Sequence, residues 1–132
     1  MKLLVKKSVA VIFIITFLSA VGFVNNVIVE AQANIYFKTT KISLQNGRCT
    51  IYGYFHNKGN SGATVTSVRF VGNIYNSSGK SMYDIDQIWN GTKAGYIAPG
   101  AQKSWSFTSD KNIYKYYRGN PEWNFNTTVS WR

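Results

Sequence analysis

The clearest pattern in this chain is the stretch Trp123-Asn124-Phe125-Asn126-Thr127-Thr128-Val129-Ser130-Trp131. Its odd-numbered positions carry large or β-branched side chains, and its even-numbered positions carry small polar ones. A period of two residues is that of a β-strand, because successive side chains point to opposite faces of a sheet. We therefore predict a strand here with one face buried and the other exposed.

The same period of two recurs along the chain, and no helical stripe of apolar residues interrupts it. Five further predicted strands cover residues 35–39, 49–56, 63–75, 81–89 and 101–108. Clusters of Asn, Gly, Ser and Pro separate these strands, as expected for turns. Six or seven short strands predict an all-β fold, a small antiparallel immunoglobulin-like β-sandwich. The expected core residues are Ile51, Phe55, Val68, Phe70, Ile74, Trp105, Phe107, Phe125 and Val129.

The N-terminal part of the chain has the organisation of a secretion signal. Three lysines precede an almost wholly apolar run over residues 9–24, and Ala31-Gln32-Ala33 supplies the small-x-small pattern of a cleavage site. We expect residues 1–33 to be a cleaved signal peptide helix and residues 34–132 to be a secreted basic β-sandwich domain, either released or retained at the cell wall. The alternative is an uncleaved membrane anchor, since the apolar run approaches the length of a span.

The predicted domain is strongly basic. Twelve of the fifteen Lys and Arg residues and four of the five acidic residues follow residue 33, which gives a net charge of about +8. Such a charge on a small domain favours anionic partners, namely a cell-wall polymer, acidic lipid head groups or an acidic protein. Export argues against nucleic acid as the partner. The abundance of Asn, Lys, Ile and Tyr suits a Gram-positive source with an AT-rich genome.

Groups able to perform catalysis are scarce after residue 33. Cys49 is the only cysteine, which excludes an intramolecular disulfide, and His56 is the only histidine. Alternation places them on opposite faces of one strand, so they cannot form a nucleophile–base pair. Asp84 and Asp86 share a face, but two carboxylates are too few for a calcium site, and a solvated face is the simpler interpretation. We predict no catalytic residue, no metal site and no cofactor.

The strongest candidate for a binding site is the segment 111–118, which packs three cations and three tyrosines into eight residues. Tyrosine rings stack on sugars, and cations pair with phosphates or carboxylates. The alternative is a loop whose tyrosines complete the core while its lysines remain in water. The predicted ligand-binding residues are Lys111, Tyr114, Lys115, Tyr116, Tyr117 and Arg118, with Tyr52 and Tyr54 extending the same surface.

Strands and turns follow one another in a distinctive order over residues 50–108. The stretch 51–59 contains the end of one predicted strand and the start of an Asn-rich turn, and a second strand leads to the Gly79-Lys80 hairpin; the turn Pro99-Gly100 and the motif Trp105-Ser106-Phe107 follow. This order resembles the immunoglobulin-like modules of secreted Firmicutes proteins, the SLAP and FxLYD types. The resemblance implies a cell-envelope interaction module and not an enzyme. Residues 109–132 have no counterpart in it.

Taken together, these features predict a secreted, non-catalytic module that binds an anionic cell-wall polymer or membrane surface. They predict no particular oligomeric state. Two alternatives remain open: a secreted toxin or bacteriocin acting on membranes, and a secreted inhibitor of a foreign enzyme. A small hydrolase is disfavoured by the scarcity of His, Asp and Glu after residue 33.

Overall fold

The computed structural model describes residues 30–132, of which Ala33–Arg132 form one compact unit. Nearly all of the predicted signal peptide lies outside the described residues, so its cleavage stays a prediction. The described chain is all-β. Its strands are β1 (Ile35–Gln45), β2 (Arg48–Asn57), β3 (Ala63–Tyr75), β4 (Ser81–Asn90), β5 (Tyr96–Ile97), β6 (Gln102–Thr108) and β7 (Glu122–Trp131).

The strands form two antiparallel sheets. The first sheet has the order β1-β2-β6, and in the second sheet β3 pairs with β4, β5 and β7. The chain changes sheet after β2, returns to place β6 beside β2, and changes again to place β7 beside β3. This return of later strands to earlier ones is the connectivity of immunoglobulin-like sandwiches. The predicted fold class is therefore confirmed.

The first hairpin differs from the sequence-based expectation. β1 extends to Gln45, six residues beyond the predicted end at Thr39. Thr40 is an extra residue at a β-bulge, because the register with β2 shifts between Thr39 and Lys41. The bulge shifts the buried positions of β1 from odd-numbered to even-numbered residues. A strict period of two therefore does not predict the second half of the strand.

A tight turn closes this hairpin at Asn46-Gly47. Both residues have positive φ angles, 53° and 77°. This is the geometry of a type I′ turn, whose twist matches that of the flanking strands. The turn places Arg48, the first residue of β2, directly opposite Gln45.

The core lies between the two sheets and is centred on phenylalanine rings. Phe70 is fully buried and makes edge-to-face contacts with Phe37, Phe107 and Phe125 at centroid distances of 5.6, 5.5 and 5.7 Å. Six of the nine expected core residues are buried. The other three, Trp105, Phe125 and Val129, are only partly buried because they lie on the edge strands β6 and β7.

Candidate functional site

The segment of residues 109–121 connects β6 to β7 and contains most of the predicted binding residues. Hydrogen bonds of its backbone hold it against the rest of the sandwich. The amide of Tyr114 donates to the carbonyl of Gly47 at 2.9 Å, and the amide of Tyr117 donates to that of Leu44 at 3.2 Å. The amide of Lys115 donates to the hydroxyl of Tyr83 at 2.8 Å. The segment therefore lies against the end of the sandwich where the first hairpin turns.

The three tyrosines of this segment have three different environments. Tyr114 is only 5% exposed, and its ring lies 4.9 Å from that of Tyr83. Tyr117 is half-buried, and its hydroxyl oxygen accepts a hydrogen bond from the amide of Ser77 at 2.8 Å. Tyr116 is 64% exposed. Tyr114 thus belongs to the core and Tyr117 to the support of a neighbouring loop, which leaves Tyr116 as the tyrosine that a ligand can reach.

The exposed part of the segment is cationic and partly apolar. Lys111, Lys115 and Arg118 are exposed, and Ile113 between them is 61% exposed. Arg48 holds the start of the segment in place, since its guanidinium donates to the carbonyl oxygen of Ser109 at 2.7 Å. This end of the sandwich therefore presents three positive charges beside two solvent-exposed side chains, Ile113 and Tyr116.

Tyr52 and Tyr54 lie on a different surface. They alternate along β2 with the buried residues Ile51 and Phe55, so their rings project from the outer side of the first sheet. Tyr52 is five residues from Gly47, a distance of about 16 Å along an extended strand. Tyr52 and Tyr54 therefore lie on the outer side of the first sheet, whereas segment 111–118 lies at the end of the sandwich, and their contribution to one binding surface stays a prediction.

The strand register defines the composition of that outer side. In antiparallel strands, directly opposite residues project from the same face. Tyr52 lies between Lys41 and Ser106, Tyr54 lies between Lys38 and Ser104, and His56 lies between Tyr36 and Gln102. We call this set the outer face: Tyr36, Lys38, Lys41, Tyr52, Tyr54, His56, Gln102, Ser104 and Ser106.

The side chains of the outer face also contact one another. The hydroxyl of Tyr36 is hydrogen-bonded to Nδ1 of His56 at 2.9 Å. The ammonium group of Lys41 lies 5.4 Å from the ring centroid of Tyr52, within the range of a cation–π interaction. The ammonium of Lys58, just beyond β2, lies 5.6 Å from the ring centroid of Tyr36. Cations and aromatic rings thus lie side by side on this face.

A shallow depression of about 580 Å³ opens on the outer face. Its lining residues are Thr40, Tyr52, Gly53, Ser104, Trp105 and Ser106. The lining includes two aromatic residues, Tyr52 and Trp105, and the aliphatic hydroxyl groups of Thr40, Ser104 and Ser106, each able to donate and to accept a hydrogen bond. Thr40, Ser104 and Ser106 are not among the predicted binding residues, because isolated Ser and Thr residues carry no functional signal until a register brings them together.

Charge is divided unequally between the two sheets. The strands of the first sheet contain four cations, Lys38, Lys41, Arg48 and Lys103, and no Asp or Glu. The strands of the second sheet contain three acids, Asp84, Asp86 and Glu122, and one cation, Arg69. Arg69 is paired with Asp86 at 2.9 Å. The positive charge of the domain is thus concentrated on the first sheet and in the loops.

The residues weighed for catalysis lie apart from one another. Cys49 is buried, and burial raises the pKa of its thiol to about 12. His56 projects from the other face of the same strand, and Asp84 accepts a hydrogen bond from the side-chain amide of Asn73 in the second sheet. Within residues 30–132, no three His, Cys, Asp or Glu side chains are grouped closely enough to hold a metal ion.

The fold and its surfaces define a class, an immunoglobulin-like β-sandwich with one cationic, aromatic sheet face. Comparison with family models, with curated proteins and with solved structures finds no match to the chain. In the part of the chain that the structure describes, no helix has the length and apolar character needed to cross a membrane.

Proposed function

We propose that this chain is a secreted, non-catalytic binding module that associates with anionic polymers of the bacterial cell envelope. The observation that carries the proposal is the charge of the outer face, where Lys38 and Lys41 project, Lys58 lies beside Tyr36, and the strands of the first sheet hold no acid. A surface of one sign attracts polyanions over a distance of several ångströms and raises the rate of encounter. The resemblance to envelope modules supports the same function.

The shape of the outer face favours a polymer over a small ligand. The face is open and follows the strands, so a linear chain can lie across it. Lys41 and Lys38 are opposite Tyr52 and Tyr54, which are two residues apart on β2. Two residues of a strand span about 7 Å. This places cations at a spacing that repeated charges along a polymer can match.

A second function is favoured by one observation at the sandwich end. Ile113 and Tyr116 are 61% and 64% exposed and lie among Lys111, Lys115 and Arg118. Apolar side chains surrounded by cations are typical of segments that enter the interface of an anionic bilayer. A membrane-active toxin is therefore the alternative, and its expected activity is leakage of anionic vesicles.

Binding to purified Gram-positive cell walls tests the proposal. We expect binding at 0.1 M salt to weaken steeply at 1 M, because the Debye length falls from ~10 Å to ~3 Å over that range. Walls stripped of teichoic acid should bind less protein. Three variants, each with three Lys or Arg residues replaced by Ser, separate the surfaces at equal loss of charge. These are the sheet variant (Lys38, Lys41, Lys58), the segment variant (Lys111, Lys115, Arg118) and the control (Lys80, Lys93, Arg132).

The sheet variant should lose the most binding and the control variant the least. A loss centred on the segment variant would instead support the site predicted from the sequence. Equal losses in all three variants would mean that net charge alone drives binding. Absence of wall binding at 0.1 M salt, together with leakage of anionic vesicles, would replace the binding module by the membrane-active toxin.

A further inference from the structure

The depression on the outer face is produced by an irregularity in the strand pairing. The β-bulge at Thr40 lies between the pairs Thr39–Gly53 and Lys41–Tyr52. The hydroxyl of Thr40 donates to the backbone carbonyl of Tyr52 at 3.4 Å. Bulges redirect side chains and are frequent beside binding sites. Here the bulge brings a threonine hydroxyl to the backbone of Tyr52.

Gly53 allows the two strands to approach closely at this bulge. A Cβ atom at position 53 would overlap the carbonyl oxygen of Lys38 and the ring of Phe37. Any other residue would push β1 away from β2 and disturb the arrangement around Tyr52. The geometry of the depression therefore depends on a glycine at this position.

The lining of the depression matches the two-sided chemistry of a sugar ring. A pyranose has an apolar face of C–H groups, which stacks on an aromatic ring, and hydroxyls at its edge, which need both donors and acceptors. Tyr52 is 39% exposed and offers its ring, while Ser104 and Ser106 are exposed and offer hydroxyls from the adjoining strand. A shallow, open depression of about 580 Å³ leaves room for one sugar ring of a longer chain.

The cations beside the depression favour a ligand that carries negative charge. Lys41 lies 5.4 Å from the Tyr52 ring centroid, and Lys38 is opposite the neighbouring Tyr54. The strands of the first sheet provide no acid to neutralise them. A neutral sugar would leave both lysines without a counter-ion, whereas a carboxylate on each sugar would pair with them.

We propose that the outer face binds an acidic polysaccharide. One sugar ring of the polymer stacks on Tyr52 in the depression, and carboxylates of the polymer pair with Lys41 and Lys38. This inference rests on the proposed function and narrows it, from polyanions in general to those built of sugar rings. A polyanion without rings would meet the lysines but leave Tyr52, Ser104 and Ser106 unused.

Two polymers with the same anionic group test the inference. Polygalacturonate carries a carboxylate on each sugar, and poly-glutamate carries the same group on a chain without sugars. We expect the wild-type protein to bind polygalacturonate about tenfold more tightly than poly-glutamate of equal charge, as measured by calorimetry at 0.1 M salt. Polyphosphate, which also lacks sugar rings, should behave like poly-glutamate.

Substitutions in the depression test whether it causes the preference for polygalacturonate over poly-glutamate. Tyr52→Ala should weaken polygalacturonate binding roughly tenfold and leave poly-glutamate binding nearly unchanged, since it removes the stacking ring and its contact with Lys41 but keeps the charge of both lysines. Tyr116→Ala is the matched control, because it removes an exposed tyrosine from another surface. The double variant Ser104→Ala/Ser106→Ala removes two exposed hydroxyls without touching Tyr52. It should also weaken binding to polygalacturonate and leave binding to poly-glutamate unchanged. This double variant tests the inference if Tyr52→Ala does not fold.

Three results would overturn the inference. Equal affinity of the wild type for polygalacturonate and poly-glutamate would show that sugar rings are not recognised, while the proposed binding of polyanions would stand. Equal effects of Tyr52→Ala and Tyr116→Ala on polygalacturonate would place the contact elsewhere. Failure to bind any of the three polyanions at 0.1 M salt would remove the proposed function and this inference together.

Discussion

The backbone amide of Tyr114 donates a hydrogen bond of 2.9 Å to the carbonyl of Gly47, the second residue of the first hairpin turn. The two residues are paired as an isolated β-bridge. The bridge holds the segment between β6 and β7 against the first hairpin and turns the Tyr114 side chain into the core. One main-chain contact thus decides which tyrosine of a tyrosine-rich segment is structural.

Truncation of Tyr114 should therefore affect stability. Tyr114→Ala should lower the free energy of unfolding by about 3 kcal/mol, because a buried aromatic ring leaves a cavity. Tyr116→Ala is the control and should change it by no more than about 0.5 kcal/mol, as is usual for exposed positions. Urea denaturation measures both values. A larger loss for Tyr116→Ala than for Tyr114→Ala would contradict the packing described for this segment.

Phe70 is expected to be among the most sensitive core positions. It is fully buried at the centre of a cluster of aromatic rings. Phe70→Ala should cost roughly 3–5 kcal/mol, a large share of the stability of a small domain. Its neighbour Val71 projects from the opposite face and is the control, since Val71→Ala leaves the core intact. Wild-type stability of Phe70→Ala in urea denaturation would refute the assigned core.

Asn57 should be as important as an apolar core residue. It is fully buried, and its side-chain amide donates to the carbonyls of Ser61 and Ile97 at 2.8 and 3.1 Å. Its side-chain oxygen accepts from the amides of Asn34 and Gly59. Asn57→Ala leaves these backbone groups without their partner and should cost at least about 2 kcal/mol.

The exposed Asn126 provides the control for this substitution. Asn126→Ala should change the unfolding free energy by no more than about 0.5 kcal/mol. Thermal and urea unfolding measure both variants. If Asn57→Ala and Asn126→Ala proved equally stable, the hydrogen bonds of the Asn57 side chain would make no net contribution to the free energy of unfolding.

Cys49 should be unreactive in the native protein. Burial raises the pKa of its thiol from 9.0 to about 12, so at pH 8 only about one molecule in ten thousand carries the nucleophilic thiolate. Labelling with iodoacetamide at pH 8 should be slow in buffer and fast in denaturant. The denatured protein is the control for reagent quality. Rapid labelling of the native protein would show that the thiol is accessible.

The ion pair on the second sheet predicts a change in acid titration. Hydrogen bonds from the guanidinium of Arg69 hold the pKa of Asp86 below its ordinary value. The stabilisation by this pair is therefore present at neutral pH and is lost as the pH falls through the lowered pKa of Asp86. Both side chains are exposed, so the effect on stability is small.

NMR titration can follow the carboxyl of Asp86 directly. Arg69→Ala should raise its pKa towards the ordinary value, because the donor groups are removed. Lys80→Ala removes a charge from the β3–β4 loop and is the control that should leave this pKa unchanged. An unchanged pKa in Arg69→Ala would mean that the pair does not persist in solution.

The class of fold and most of its strands follow from local patterns in the sequence. Period-two alternation located residues 63–75 as a strand with the same ends as β3, and it placed β7 within one residue at each end. It also placed Cys49 inside and His56 outside, since alternation along one strand needs no information from other strands. These features are local, and a pattern of side chains along the chain is enough to specify them.

Which residues share a surface depends on the pairing of distant segments in the folded protein. Tyr52, Ser106 and Lys41 are distant in sequence and become neighbours through the register of three strands. The bulge at Thr40 shifts that register by one residue, and no alternation rule reveals where it falls. The burial of Tyr114 likewise depends on a bridge to Gly47, 67 positions earlier in the chain. Pairing between distant segments is fixed by packing and backbone hydrogen bonds, so the site follows from the assembled sheets.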